Sequence, residues 1–193
     1  MDDAAMVGGA EQDHVILLHE DGSVRGLAPR ATVHSTTTPL HLAFSCYVLG
    51  EDGQVLVTRR ALSKRTWPGV WTNAFCGHPR QGESVPDAVA RHAEHELGMR
   101  VRNVREVLPD FRYRAVDASG VVENEVCPVF LAEADGAPIP NPDEVMDLRW
   151  AAPQELISLV DLAPWTLSPW MVSQVPALRD SLGAASSARG RTP

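Results

Sequence analysis

Cys76-Gly77-His78-Pro79 sets a thiol two residues before an imidazole, and Glu123-Asn124-Glu125-Val126-Cys127-Pro128 sets two carboxylates two residues apart. On a β-strand, residues two apart share a face, so Glu123 and Glu125 would project together. Two carboxylates side by side in a low-dielectric setting repel and need a cation or a proton between them. Thiol, imidazole and paired carboxylates are the equipment of a metal site beside an acid/base site. A thiolate is a soft base suited to an apolar pocket, and nearby cations lower the proton affinity of its thiol. Cys46, inside an apolar run, reads instead as a small buried hydrophobe.

The whole chain bounds what such a site can serve. Its 193 residues, 44% of them hydrophobic, suffice for one domain with a substantial core. A formal net charge of -8 argues against a nucleic-acid partner. No apolar run approaches the roughly 20 residues that cross a bilayer. The acidic start Met1-Asp2-Asp3 lacks the apolar core of a signal peptide. The expectation is a cytoplasmic protein, monomeric, with no membrane partner. Three cysteines, an odd number, make a disulfide framework improbable.

The elements that must position these groups are mostly strands. Residues 1–13 are small and polar and are expected to be disordered, residues 14–182 form the domain, and residues 183–193 are a flexible tail. His14 to Leu18 reads as a short strand and His41 to Leu49 as a buried one. Glu51-Asp52-Gly53 turns the chain into a second strand, Gln54 to Arg60. Val70 to Phe75 is a third strand. Ser84 to Leu97 is a helix, with Ser84 as N-cap, Pro86 in its first turn and Gly98 closing it. Arg112 to Val116 and Val121 to Ala132 form a hairpin, and Val145 to Ala151 is a further strand. Pro153 to Val160 and Ser168 to Leu182 are helices, the last bent or divided by Pro176. This is an α/β (α+β) pattern, a mixed β-sheet sandwich flanked by helices. Cys127, on the Glu-bearing strand, is placed on the face opposite Glu125 and expected to be structural.

The Ser84 helix carries a further pattern. Gly77, Glu83, Arg91, Glu96 and Gly98 fall on the frame of the Nudix signature, and the chain resembles that family there. Two acidic positions of the signature are His92 and His95. A Nudix hydrolase uses several carboxylates at this place to hold water-activating cations, so ordinary diphosphate hydrolysis is not expected. The rest of the chain accounts for the departure. Leu40-His41-Leu42-Ala43-Phe44-Ser45, Arg59 to Lys64, Trp67 to Asn73, Cys76 to Pro79, Tyr113-Arg114-Ala115, Glu123 to Pro128 and Ser168-Pro169-Trp170-Met171 occur in that order. From about residue 14 to about residue 175 the chain closely resembles the type 1 isopentenyl-diphosphate isomerases, a family on a Nudix-like fold.

The resemblance implies the reaction and its residues. Isopentenyl diphosphate and dimethylallyl diphosphate interconvert by protonation and deprotonation through a tertiary carbocation, in isoprenoid precursor supply. That cation must be shielded from water and stabilised electrostatically. Cys76 matches one acid/base arm, and Glu125 with Tyr113 the other; which arm protonates stays open. Taken without the family, Tyr113 would read as a half-buried strand aromatic. His34, His41, His78, Glu123 and Glu125 match ligands of a divalent metal, Mn2+ or Zn2+. Glu96 matches the site of Mg2+, which would bridge to the substrate diphosphate. Arg60 and Lys64 match contacts to the diphosphate, within a basic stretch that also holds Arg59 and Arg65, with Arg91 further on. Trp170 is expected to turn its indole face to the carbocation; Trp67, Trp71, Trp150 and Trp165 are expected in the core or at the pocket rim. His14, His19, His92 and His95 are expected at the surface or in caps. Two other readings are a hydrolase of a small organic diphosphate and a scaffold that binds a diphosphate without turnover.

Overall fold

A computed structural model describes residues 13–189. The segment expected to be disordered lies outside the described residues except for Asp13, as do residues 190–193. Among the described residues, twelve strands form two sheets. The smaller has the order β2 (Val24–Pro29), β1 (His14–Leu18), β3 (His41–Leu42), β10 (Val122–Val126), β9 (Arg112–Val116). The larger has the order β12 (Val145–Ala151), β5 (Val55–Arg60), β4 (Phe44–Leu49), β11 (Val129–Asp135), β8 (Arg100–Leu108). Two short strands extend it: β6 (Trp71–Thr72) on β5 and β7 (Phe75–Gly77) on β4. Mixed pairing is present in both sheets, since β3 runs parallel to β10 and β4 parallel to β11 while their other neighbours are antiparallel.

Both faces of the larger sheet are covered, and its central strand reads accordingly. Every residue of β4 is buried, as expected of a strand packed on two sides. One face meets α2 (Val85–Leu97) through Phe44, Cys46, Val48, Phe75, Val89 and Leu97. The other meets α3 (Pro153–Leu162) and α4 (Pro169–Arg189) through Tyr47, Val57, Leu131, Leu156, Met171 and Leu178. A short helix α1 (Arg30–Val33) links β2 to the loop before β3. No helix among the described residues is long and apolar enough to cross a membrane.

Helix α2 starts and stops where its sequence signals place it. The Ser84 hydroxyl accepts from the backbone N–H of Asp87 at 3.2 Å, satisfying one otherwise unpaired donor. Gly98 ends it at φ 55, its N–H bonded to Glu94. A Cβ at residue 98 would come within 2.7 Å of the Ile139 carbonyl, so both the backbone conformation and the space require glycine.

Several boundaries differ from expectation. The run from His41 to Leu49 breaks at Ala43, leaving β3 in one sheet and β4 in the other. Residues 70–75 form no single strand but β6 and the start of β7. The last helix is not divided at Pro176 and continues past Leu182 to Arg189, so the expected tail begins inside a helix. Two strands, β2 and β8, carry weak sequence signals because most of their side chains are exposed or only partly buried.

Candidate active site

The split at Ala43 builds the site. It lets β3 join the small sheet beside β10 while β4 carries β7 in the large one. A cavity of about 420 Å³ lies between, receiving Tyr113, Glu123 and Glu125 from the small sheet and Cys76 and His78 from the region of β7. The matched side chains His34, Arg60, Lys64, Glu96 and Trp170 also line it.

Three imidazoles and the Glu125 carboxylate converge on one point, with Glu123 against His34 at its edge. The strand period puts Glu123 and Glu125 on one face of β10, and parallel pairing brings His41 alongside Glu125. His34 follows the end of α1, and His78 follows β7. The three rings stand with centroids 5.1, 5.6 and 5.1 Å apart. His34 Nε2 lies 3.0 Å from Glu123 Oε2, and His41 and His78 Nε2 each lie 3.4 Å from Glu125 Oε1. His34, His41, His78 and Glu125 each offer a ligand atom within 4.8 Å of the others.

The donor set fits a divalent cation. Nε2 of His34, His41 and His78 and Oε2 of Glu123 are buried and make no hydrogen bond of acceptable geometry, although buried polar atoms are otherwise nearly always paired. Lone pairs of the three imidazoles aimed at a common ion account for those nitrogens together, and Glu123 Oε2 lies beside that group against His34. The orientation is fixed from behind: His41 Nδ1 donates to the Pro39 carbonyl at 2.9 Å, which leaves Nε2 for an ion. Thr66 donates to Glu123 Oε1 at 2.7 Å, leaving Oε2 for the same use. Burial holds His78 neutral, its pKa down at about 4. Burial also opposes charge on His41 and Glu125, yet their close approach and mutual attraction outweigh it. His41 is consequently raised above 6.5 and Glu125 held well below the usual carboxylate range. Three nitrogens and carboxylate oxygens suit borderline divalent metals.

The thiol stands on a buried polar network. Cys76 Sγ lies 3.3 Å from Ser45 Oγ and 3.3 Å from Asn73 Nδ2. Asn73, wholly buried, also donates to the carbonyls of Cys46 and Phe75 and accepts from Trp170 Nε1 at 2.9 Å. Ser45 accepts from Gln174 Nε2 at 2.9 Å, and the Gln174 carbonyl accepts from the Tyr47 hydroxyl. Burial pushes the Cys76 thiol up to about 12, against the opposing hydrogen bonds of Ser45 and Asn73. Without a bound cation, Cys76 is thus the protonated group and Glu125 the ionised one. Cys46 is fully buried, as a core residue should be. Cys127 does not face away from Glu125. Its sulfur lies 3.4 Å from Ser45 Oγ and within hydrogen-bonding reach of Glu125, because two residues along an extended chain return to the same side.

Around these groups lie the aromatic and basic walls. Trp170 is 3% exposed and packs against Trp67 and Tyr113, at centroid distances of 5.5 and 5.7 Å. The Arg60 guanidinium sits 5.5 Å from the Trp170 ring and donates to the Thr66 carbonyl at 2.7 Å. Trp170 therefore has a protein cation as a neighbour, in addition to any it would offer to a carbocation. Trp165 is in neither core nor rim, being 77% exposed. Arg59 and Arg91 point elsewhere, Arg59 to the Gly69 carbonyl and Arg91 to Glu83 and the His78 carbonyl.

His92 is neither a surface nor a capping residue. It is buried, its Nδ1 donates to Glu96 Oε1 at 2.9 Å, and its ring packs edge-on to Phe44. His95 remains exposed. Sequence reasoning missed Arg30, which lines the cavity, because one arginine before a four-residue helix carries no signal. It also missed Ser45, Asn73 and Gln174, whose residue types usually mark turns and surfaces.

A model of the NUDIX domain matches residues 39–174. Solved structures share the fold: a Deinococcus radiodurans protein is 18% identical with a TM-score of 0.65, covering 84% of this chain and 97% of that one. A MutT NUDIX hydrolase from Burkholderia pseudomallei is 25% identical with a TM-score of 0.55, over 72% and 98%. The chain belongs to the NUDIX family. Relatives named isopentenyl-diphosphate Delta-isomerase are 56% identical in Agromyces mediolanus, over 92% of this chain and 86% of the relative, and 57% identical in Kocuria rhizophila, over 89% and 96%. Within the NUDIX family the chain belongs to the isopentenyl-diphosphate Delta-isomerases.

Proposed function

We propose that this chain interconverts isopentenyl diphosphate and dimethylallyl diphosphate by protonating the alkene at one carbon and removing a proton from another. The observation that carries this reading is the pairing across the cavity: a thiol from one sheet against a tyrosine and carboxylate from the other. An alkene lying between them meets an acid/base group on each side. Each direction of a reversible transposition needs one group protonated and the other not. The opposed proton affinities of Cys76 and Glu125 supply that difference. Trp170, backed by Trp67, and Tyr113 would form an aromatic wall that excludes water from a carbocation and favours its charge.

His34, His41, His78, Glu123 and Glu125 would hold Mn2+ or Zn2+, and Glu96, fixed by His92, would hold Mg2+ against the diphosphate. When bound, such cations supply fixed positive charge that lets the paired carboxylates coexist and neutralises the phosphates. Arg60, Lys64 and Arg30 offer further positive charge at the same mouth. A charged substrate suits an aqueous compartment, and the cytoplasm and a monomeric state remain the working expectation.

Hydrolysis is the second reading, and His92 counts against it. Where the hydrolase frame has a carboxylate, this chain has a buried imidazole bonded to Glu96. Phosphate release from nucleoside diphosphate-linked compounds tests the choice. Negligible release, beside turnover of isopentenyl diphosphate, is expected; robust metal-dependent release without alkene transposition would reverse the assignment.

A further inference from the structure

Lys64 already has an anionic partner. Its ammonium donates to Glu144 Oε2, and both side chains are largely buried, 21% and 15% exposed. On its other oxygen Glu144 lies 3.7 Å from His95 Nε2. Glu144 and Lys64 both line the cavity, together with Arg30 and Arg60. A carboxylate thus sits among the cations that a diphosphate would use. Burial alone would raise the Glu144 carboxyl, but Lys64 first, and Arg30 and His95 after it, hold it below the ordinary range.

The backbone keeps Glu144 there independently of its side chain. The Glu144 carbonyl accepts from the Ala61 N–H at 2.9 Å, and its own N–H donates to the Asn141 carbonyl at 3.0 Å. Asn141 in turn donates to the Glu96 carbonyl at 2.9 Å, and Ser63 donates to the Asp143 carbonyl at 3.1 Å. The loop at residues 61–64 and the loop at residues 141–144 are therefore laced together beside Glu96. Removing the carboxylate charge alone should leave this frame standing.

We propose that Glu144 is an internal counter-anion of the diphosphate site, occupying Lys64 in the free protein and yielding it when a diphosphate enters. The inference rests on reading Lys64 as a diphosphate contact. It gives Glu144 a role in setting affinity: the carboxylate competes with incoming substrate and helps to expel product. An alternative role predicts the opposite sign. If Glu144 merely aimed Lys64 at the substrate, losing its charge would weaken binding.

Calorimetric titration of the metal-loaded protein with inorganic pyrophosphate decides the sign. Glu144→Gln should bind roughly two- to fivefold tighter than the parent, the scale of one partly exposed ion pair. The KM for isopentenyl diphosphate should fall with it, without a rise in kcat. Lys64→Met should weaken binding, and in that background Glu144→Gln should give no gain. Glu144→Asp, whose shorter arm loosens the pair, should give a smaller gain of the same sign and covers the case of a poorly folded Gln variant. Unchanged or weaker binding by both Glu144 variants, with Lys64→Met still defective, would overturn the inference and leave the Lys64 reading intact. Normal binding by Lys64→Met would overturn the Lys64 reading and the inference together.

Discussion

Glu125 stands directly across the antiparallel ladder from Tyr113, and on its other side the parallel ladder brings His41 level with it. One carboxylate thereby has an imidazole of the candidate metal site on one flank and a phenol on the other. Strand register alone produces the arrangement, and a one-residue slip of β10 would turn Glu123 and Glu125 away from both.

Removing only the phenol oxygen tests that flank. Tyr113→Phe keeps the ring, its stack on Phe111 at 6.0 Å and its packing on Trp170. We expect kcat to fall by roughly 10²-fold, the low end for loss of an acid/base group, with the melting temperature little changed. Steady-state kinetics and a thermal melt measure both.

Cys76→Ser should fold and lose roughly 10²-fold or more in kcat, since a hydroxyl is a far poorer acid and base near neutrality. The thiol's own titration has a definite sign. Burial raises it to about 12, so the reactive thiolate is scarce at neutral pH and grows as pH rises. In metal-free protein, alkylation by iodoacetamide should accelerate about tenfold per pH unit between pH 7 and 9. Bound substrate should protect. A rate that levels off near pH 7 would mean a thiol activated by its surroundings.

Glu123→Gln replaces a charged oxygen proposed as a metal ligand with a neutral amide. Metal per chain, by elemental analysis, should drop well below that of the parent. Affinity in the parent should also climb with pH through the raised value of His41, because His41 must shed its proton to ligate.

Gly77→Ala tests the seat of the thiol. A Cβ at residue 77 would come within 2.4 Å of the His92 ring. That ring is wedged against Phe44 and bonded to Glu96, so yielding means releasing Glu96. A loss of about 1–3 kcal/mol in stability is expected for such overpacking, with activity lost beyond what the melt explains.

Much of the scaffold was legible because local chemistry wrote it. Ser84, Pro86 and Gly98 bound α2, the Asp52-Gly53 turn joins β4 to β5, and alternation on β10 put both glutamates on one side. What was hidden depends on distant pairing. His34, His41 and His78 meet only because β3 leaves the run it shares with β4 to join another sheet, and no spacing rule encodes that switch. Resemblance to a family named them as candidate ligands; the residues alone did not. Asn73, Ser45 and Gln174 escaped notice since burial, unseen in a single sequence, is what turns an ordinary polar residue into the support of a thiol. His92 escaped for the same reason.

The most direct measurement is proton NMR of isopentenyl diphosphate in D2O with the metal-loaded protein, before and after a chelator. The account predicts dimethylallyl diphosphate, with deuterium in the newly formed methyl group, no phosphate release, loss of turnover on chelation and its return when divalent metal is restored. Phosphate released from an alkene left in place, or isomerisation indifferent to the chelator, would contradict it.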